Sequence, residues 1–487
     1  MELQGTRYLY VYAALKSQIT SKQLPEGSRL PSSRILCKEF NVGIPTVARA
    51  LKQLRDEGFI AIFPKRAPIV LACHHPQTES EKVLSLLSRH NLILQVYQTA
   101  VLFLPSALTF ASSNYDICFL SDYKLAVKAI NRGTDRGCWR PVFSLCKELL
   151  SCGGNPLTAD LFGALEVNGC LAFFFDECVY FQEACQNASY FIAGSIMNAL
   201  TESDSARKLS QLKTAYTQLL EAVRSALIRY HAQYGSLPAQ AADAFRWNPS
   251  HSCLYNCVIQ DLMRKIGTGE YQPNTYLPPQ AELSKYYHVS ASTMRAALAC
   301  LSDMGLCQTL NGKGTLVQTP KPSAAPAFLK LSEAKHDSVQ YLHALQTVIL
   351  LLYPAALYTA PGYTTSDIAY LSEQLQRSDS VLLGNYLRLL IDRLDLIPLR
   401  IALAKAGVMT DFSFHLAVCL NGRKQTANYL NGKIKSAYQS LTRQNYHDYA
   451  NQLTDCYRYL LETVRQYMTE KGQLPEAQSV RTPFFTN

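Results

Sequence analysis

Glycine is scarce in this sequence, with 23 glycines among 487 residues, against the roughly 7% that is usual. The chain contains no glycine-rich phosphate loop, no nucleophile elbow and no paired catalytic carboxylates. These are the motifs by which cofactor-dependent and hydrolytic enzymes are usually recognised. The sequence therefore argues against an enzyme.

The ligand spacing of a zinc ribbon is also missing, although the chain has 15 cysteines. The pairs Cys253/Cys257 and Cys146/Cys152 have no matching second pair. No signal peptide is recognisable, because residues 1–7 lead directly into an amphipathic helix. We expect free, mostly buried thiols in the reducing cytosol, and hence a cytoplasmic protein.

An uninterrupted hydrophobic run of membrane-spanning length is lacking as well. The most apolar stretch, residues 92–110, is broken by Gln95, Gln98 and Pro105. A membrane span needs about 20 predominantly apolar residues. We therefore expect a buried helix of a bundle here, and no membrane partner.

One stretch occurs twice, at residues 30–51 (LPSSRILCKEFNVGIPTVARAL) and 277–298 (LPPQAELSKYYHVSASTMRAAL). The copies are 247 residues apart and align without a gap. Each has Leu-Pro, a short amphipathic helix, a tight turn with a valine and a second helix that ends on Ala-Leu. This order predicts a helix-turn-helix in each half of the chain.

The first copy shows how the pattern predicts the fold. Pro31 begins a helix, and Ser32 or Ser33 can cap it. Gly58 ends the second helix. The inward-facing residues are predicted to be Ile35, Leu36 and Phe40 on the first helix and Val47, Leu51 and Leu54 on the second. Residues 59–63 and 69–72 predict two short strands around Pro64–Pro68, which form a wing.

The second copy repeats each part. Tyr287 matches Phe40, Ser290 is a good cap for the second helix, and Gly305 ends it. The inward-facing residues of that helix are predicted to be Met294, Leu298 and Leu301. Residues 306–310 and 315–318 flank Asn311-Gly312-Lys313-Gly314, and Asn-Gly between apolar runs is a strong hairpin signal.

These stretches resemble the DNA-binding domain of the GntR family of bacterial transcription regulators. Residues 7–72 cover it once and residues 253–318 cover it again, with residues 7–19 and 254–266 as the leading helices. In that family the Leu-Pro arginine, the start of the recognition helix and the wing touch DNA. By position, Arg34 matches that arginine, Thr46 and Thr293 its threonine, and Arg295 a recognition-helix arginine.

With the polar and basic residues of the exposed helix faces added, the resemblance yields a set of candidate DNA contacts. They are Ser32, Arg34, Thr46, Arg49, Lys52, Lys65, Arg66, Ser290, Ser292, Thr293, Arg295, Gly312, Lys313, Gly314 and Thr315.

Each copy departs from the family pattern in a different way. The first has Ile44 and Ala48 where the family prefers arginine, and its wing has no glycine. The second has Ala281 where the first has Arg34, and Ala291 at the other arginine position. Two unlike copies would suit two unlike half-sites in DNA. The net charge is +10, and residues 1–72 hold five Lys and six Arg against five acidic residues, so the first copy has the stronger positive field.

The predicted fold class is mainly α: two winged helix-turn-helix domains, each with three helices and a β-hairpin, each followed by an all-α helical bundle. The predicted domains are residues 1–72, 82–235, 251–319 and 330–475, with linkers at 235–250 and 320–326. The helical halves also match, since QTAVLFLP at residue 98 resembles QTVILLLYP at residue 346, and LLEAVR at residue 219 resembles LLETVR at residue 460. We interpret the chain as a regulator duplicated head to tail, acting as a monomeric pseudo-dimer or as a homodimer.

A metal site is a weaker hypothesis. One GntR subfamily binds a metal through Asp-x-x-x-His and two later histidines, and Asp411 and His415 resemble the start of that motif. His447 is the only later candidate, and residues 158–169 of the first half lack both ligands. A contact between Asp411 and His415 on the helix surface is the simpler explanation of the pair, and no other cofactor is indicated.

The function we predict is a sequence-specific DNA-binding transcription regulator, a repressor, with double-stranded DNA and an unknown small-molecule effector as partners. One alternative is a ligand sensor or scaffold whose degenerate winged helices no longer bind DNA. A weaker alternative is a regulator fused to a pyridoxal-phosphate enzyme domain.

Overall fold

The chain forms two compact units, the first comprising Met1–Leu150 and Ala159–His251 and the second Ser151–Thr158 and Ser252–Asn487. The division into four domains remains a prediction. The computed structural model describes residues 8, 11–12, 15–16, 19, 24, 26–40, 42–63, 67–71, 79–131, 139–153, 155–187, 192–235, 245, 247, 258–259, 261–262, 265–266, 270–287, 289–303, 305–310, 312–318, 332–376, 382–421, 423–470 and 474–484.

The first unit contains the first winged helix. It has helices α1 (Ser33–Glu39) and α2 (Ile44–Asp56) and strands β1 (Ile60–Ala61) and β2 (Ile69–Val70), which pair antiparallel. The Ser32 hydroxyl accepts a hydrogen bond from the Ile35 amide at 3.4 Å, as predicted for the cap. The helix that follows the predicted cap therefore starts at Ser33, two residues after Pro31.

One predicted core residue of this domain is wrong. Ile35 is 55% exposed, whereas Leu36 and Phe40 are buried. The seven-residue α1 presents one narrow face to the core, and positions i and i+4 fill it. Successive side chains on a helix point about 100° apart, so Ile35 points away from the face on which Leu36 and Phe40 lie. The predicted inner stripe of α2 is confirmed, because Val47, Leu51 and Leu54 are all buried.

The second unit repeats this domain with helices α12 (Gln280–Tyr286) and α13 (Ala291–Asp303) and strands β3 (Cys307–Leu310) and β4 (Gly314–Val317). Helices α2 and α13 end in the same way. The Phe59 amide donates to Leu54 O and the Leu306 amide to Leu301 O, both at 2.9 Å or less. Gly58 and Gly305 supply the positive φ that this cap requires, +78° and +69°.

A third strand-like segment, which the sequence did not indicate, completes each wing. Arg29 forms an antiparallel bridge with Ile69, and Tyr276 forms one with Leu316. The Leu30 amide donates to Pro68 O and the Leu277 amide to Thr315 O, each at 2.8 Å. Donors and acceptors in the two wings are thus 247 residues apart, so the repeat found in the sequence extends to individual hydrogen bonds.

Helices make up most of the rest of the first unit, as predicted for residues 82–235. They are α3 (Glu79–Ser88), α4 (His90–Asn114), α5 (Tyr123–Asn131), α6 (Trp139–Cys152), α7 (Pro156–Asn168), α8 (Leu171–Asp176), α9 (Val179–Asn187), α10 (Ile192–Thr201) and α11 (Ser205–Tyr234). The predicted apolar face of α11 is buried, from Leu212 to Leu227.

The predicted linker after α11 contains buried aromatic residues. Trp247 is 0% exposed and Phe245 is 3% exposed. Two large aromatic side chains in this stretch are therefore part of a folded core. The interpretation of residues 235–250 as a simple linker is wrong at these two positions.

The helices of the second unit are α14 (Ser332–Thr359), α15 (Thr365–Gln376), α16 (Leu383–Arg393), α17 (Ile397–Asn421), α18 (Arg423–Thr442) and α19 (Tyr446–Glu470). Two features match the first unit. Helix α11 packs on α4 and α19 packs on α14, and both α4 and α14 contain an internal proline, Pro105 and Pro354. The fold is mainly α with two small hairpins, as predicted.

Two helices among the described residues, His90–Asn114 and Val339–Gly362, are long and apolar enough to cross a membrane. Within the structure, 61% and 83% of their most apolar windows are buried. Core helices of water-soluble bundles pass the same test of length and composition. The burial therefore fits the interpretation of residues 92–110 as a bundle helix.

Candidate nucleic-acid interface

Helix α2 has one face in the core and one in solvent. Val47, Ala50, Leu51 and Leu54 are buried, and these spacings leave the opposite face free. The residues exposed on the N-terminal part of that face are Ile44, Pro45, Ala48, Arg49 and Lys52. Thr46 is half-buried near the start of the helix. The solvent face of α2 is therefore apolar in its first turn and basic further along.

Arg49 is held in place by an aromatic ring. Its guanidinium carbon lies 3.9 Å from the centroid of the Tyr8 ring, on the leading helix. Such stacking restricts the side chain while leaving the in-plane N–H groups available for a phosphate or a base. Tyr8 was missed in the sequence because this contact joins residues that are far apart along the chain.

Arg34 is exposed on α1, next to the capping residue Ser32. Ser32 uses its hydroxyl to bind the Ile35 amide, so its contribution is to the helix start. Arg34, Arg49 and Lys52 are thus the exposed basic candidates of the first winged helix that the structure describes. The wing candidates Lys65 and Arg66 lie outside the described residues.

The second recognition helix, α13, begins with a hydroxyl cluster. The Ser290 hydroxyl accepts from the Thr293 amide at 3.1 Å and lies 2.7 Å from the Ser292 hydroxyl and 2.8 Å from that of Thr293. Arg295 is exposed one turn later. Ala296 and Ala299 occupy the positions of Arg49 and Lys52, so this helix carries its positive charge at a different place.

The second wing presents Lys313 at its tip. Gly312 and Gly314 have φ of +74° and +107°, which other residues rarely adopt, and Lys313 between them is exposed. Thr315 differs from the expectation. Its side chain is 7% exposed and its hydroxyl lies 3.3 Å from that of Thr309, so it stabilises the hairpin from inside.

Each winged helix also has a lysine that is engaged internally. Lys16 donates to Glu57 at 2.8 Å and to Tyr12 at 2.7 Å. Burial lowers the pKa of Lys16, but the hydrogen bonds with Glu57 and Tyr12 outweigh it, so its pKa lies above the usual value. In the second copy Lys265 pairs with Asp261 at 3.2 Å and donates to the Tyr286 hydroxyl on α12 at 3.3 Å. These lysines fasten the leading helices and are poor candidates for DNA contacts.

The metal hypothesis gains no support from the described residues. Asp411 and His415 lie four residues apart in α17, but their side chains are outside the described part. The third candidate, His447, lies with its Nδ1 3.2 Å from the Tyr353 hydroxyl. Among the described side chains no group of three or more metal-binding residues occurs.

Comparison with known proteins gives the same two segments. The family model described as "Bacterial regulatory proteins, gntR family" matches residues 7–70 and 254–317. The chain is 36% identical over 72 residues to the HTH-type transcriptional repressor NagR of Bacillus subtilis (strain 168), and 40% identical over 72 residues to the "Probable fructoselysine utilization operon transcriptional repressor" of Escherichia coli (strain K12). Each match covers 15% of this chain and 30% of the relative.

The chain thus spans about a third of the length of these curated relatives. A solved structure, "Streptococcus agalactiae GntR", aligns with 43% of this chain and 99% of its own, at 16% identity and a TM-score of 0.20. A TM-score this low supports no comparison of folds. The matched family is described as bacterial regulatory proteins, and both of these curated relatives are named as transcriptional repressors.

The two matched segments begin 247 residues apart, which is also the separation of the paired hydrogen bonds in the two wings. Two segments of the chain therefore match the gntR family of bacterial regulatory proteins, and each of them folds as a winged helix-turn-helix.

Proposed function

We propose that the protein is a sequence-specific DNA-binding transcription regulator, a repressor, that binds one DNA duplex with both of its winged helices. The observation that supports this most directly is the pair of solvent-exposed recognition helices, α2 and α13, each set on an intact buried core. The second helix of a helix-turn-helix lies in the major groove, and its first residues contact base edges. The exposed faces of α2 and α13 suit that role.

The contacts would divide into two kinds. Arg34, Arg49 and Lys52 in the first copy, and Lys313 in the second, offer positive charge to phosphates. Arg295, which is exposed early in α13, would contact a base edge. Candidates in the first wing, Lys65 and Arg66, belong to the same proposal.

The two winged helices are joined in one chain, and this linkage supports a monomeric pseudo-dimer. Ordinary helix-turn-helix regulators form dimers in order to place two recognition helices one helical turn of DNA apart. Covalent linkage raises the effective concentration of the second domain to the millimolar range where the linker fits the spacing. Domains that each bind weakly can then act together.

The helical parts of each unit would sense a small-molecule effector in the cytoplasm. Effector binding that favours one arrangement of the two winged helices would shift the population towards, or away from, the DNA-binding state. The observation that motivates this step is the helical part that follows each winged helix, because helical bundles commonly form ligand pockets.

Selection of bound fragments from random duplexes by the purified full-length protein tests the proposal. We expect a single enriched site, whose retention falls in the variants Arg34→Ala and Arg295→Ala. Arg55→Ala is the matched control, because Arg55 is exposed at the far end of α2 and is paired with Asp56 at 2.6 Å. Absence of any enriched sequence, together with unchanged heparin retention in the two variants, would instead favour the sensor or scaffold.

A further inference from the structure

The two recognition helices present different chemistry at equivalent positions. Ile44, Pro45 and Ala48 on α2 stand where α13 has Ala291, Ser292 and Arg295. All six side chains are exposed. The first turn of one helix is therefore apolar, and the corresponding turn of the other carries a hydroxyl and a guanidinium.

The apolar surface of α2 has no role in the domain core. Ile44 is 60% exposed, while the core side of the helix is filled by Val47, Ala50, Leu51 and Leu54. A single exposed isoleucine is ordinary on a protein surface. Here, however, Ile44, Pro45 and Ala48 lie together on the face that a helix-turn-helix turns towards base edges.

The major groove offers one apolar group, the C5 methyl of thymine. Apolar side chains such as alanine contact that methyl group in protein–DNA complexes. Guanine presents two acceptors, N7 and O6, which suit the paired N–H groups of arginine. Among the described residues Arg295 makes no hydrogen bond or ion pair, so its guanidinium is free to meet such acceptors.

We propose that the first winged helix recognises thymine methyl groups through Ile44 and Ala48, while the second recognises guanine through Arg295. This inference rests on the proposed DNA-binding function and adds the base chemistry of each half-site. The target then has a thymine-containing half and a guanine-containing half. Ala48 in the first copy and Arg295 in the second determine which base each half contains.

Replacement of thymine by deoxyuridine tests the first half of the proposal, because uracil lacks only the C5 methyl. In the duplex selected by the wild-type protein, each contacted thymine changed to uracil should weaken binding about fourfold, from about 0.8 kcal/mol per methyl-sized group removed from water. The variant Ile44→Ser should lose this sensitivity at the thymine that Ile44 contacts and keep it at the thymine that Ala48 contacts. The variant Ile35→Ser should keep it, because Ile35 is similarly exposed, at 55%, but lies on α1.

Exchange of the residues at positions 48 and 295 tests the second half. Selection with Ala48→Arg should enrich guanine in the formerly thymine-containing half, at the position that matches the one read by Arg295. Selection with Arg295→Ala should remove the guanine preference, which is worth about 5- to 150-fold per base pair.

The possible outcomes separate the two claims. A wild-type protein that enriches no sequence overturns the proposed function and this inference with it. An enriched site with two identical halves, or one insensitive to uracil in the Ile44-dependent half, overturns the inference and leaves the DNA-binding function standing.

Discussion

The two winged helices are expected to depend on salt to different degrees, because they expose different numbers of basic side chains. Removing one phosphate contact reduces the slope of log K against log salt by about 0.9. The triple substitution Arg34→Ala, Arg49→Ala and Lys52→Ala removes three such contacts and should thus reduce the slope by about 2.7. In the second copy we propose that Arg295 contacts a base, so Arg295→Ala with Lys313→Ala should reduce the slope by only about 0.9.

Fluorescence anisotropy with one labelled duplex, titrated at KCl concentrations from about 50 to 200 mM, measures this difference. A fourfold rise in salt should weaken the wild-type protein about 40-fold more than the triple variant, since four raised to the power 2.7 is about 40. Lys16→Ala is a useful control, because that lysine is paired with Glu57 at 2.8 Å and should leave the slope unchanged.

Equal slopes for the triple and the double variant would refute the assignment of most phosphate contacts to the first copy. An unchanged slope in the triple variant would show that α1 and α2 do not lie against the DNA backbone. Both results are independent of which bases the protein prefers, because phosphate contacts act on any sequence.

Three further predictions concern the stability of the fold. Ser290→Ala should lower the free energy of unfolding in urea by about 1 kcal/mol, because the Thr293 amide loses its capping hydroxyl. Gly43→Ser should raise it by a few tenths of a kcal/mol, because α2 has no side-chain cap. Trp247→Ala should lower the free energy of unfolding by about 3–5 kcal/mol and lower the melting temperature, since the indole is fully buried. An unchanged melting temperature would support the original interpretation of residues 235–250 as a simple linker. Burial raises the pKa of Asp367, but hydrogen bonds from Arg393 and Thr364 lower it overall, so the stability that this carboxylate gives is present above about pH 4 and is lost as the pH falls through its lowered pKa. The melting-temperature difference between the wild type and Asp367→Asn should therefore be constant from about pH 5 upwards and shrink below about pH 4.

Periodicity made much of the fold predictable. The inner stripes of α2 and α13 follow from residues three and four positions apart, and the positive φ of Gly58 and Gly305 follows from their place just after a helix. The constant separation of 247 residues tied each feature of one copy to its partner in the other. Local signals of this kind need no knowledge of the tertiary structure.

Features that depend on tertiary contacts were not predictable. The bridges of Arg29 and Tyr276 to the wings involve one residue each, so they leave no periodic pattern. The stacking of Tyr8 on Arg49 joins two helices that are distant in sequence. The repeat did contain one clue, since Tyr255 stands 247 residues after Tyr8, but a tyrosine alone does not indicate which side chain it supports.

The accessibility of the candidate DNA-binding residues could not be predicted from the motif alone either. Family resemblance assigned Thr315 to the DNA-contacting wing, yet side chains in a strand alternate, and Thr315 and Val317 both point inward. Lys313, two residues before Thr315, is at the hairpin tip and is exposed. Position in a motif therefore predicted the hairpin, whereas the side of the strand on which each residue lies decided which side chains are accessible.

Fusion of two copies changes what a single substitution can do to recognition. In a symmetric dimer of identical chains, every substitution alters both halves of the interface at once. In this chain Arg34 has Ala281 as its counterpart, and Arg295 has Ala48, so each copy has kept a basic residue that the other lacks.

The cores behind these residues remain equivalent, with Val47, Leu51 and Leu54 buried in one copy and Met294, Leu298 and Leu301 buried in the other. Selection for folding acts on each core separately, whereas selection for binding acts on the linked pair, which tolerates a weaker domain if the other retains enough affinity. On this reasoning the differences between the two copies that affect recognition should lie on the exposed faces of α2 and α13. Four such differences lie there: Ile44 corresponds to Ala291, Ala48 to Arg295, Arg49 to Ala296 and Lys52 to Ala299.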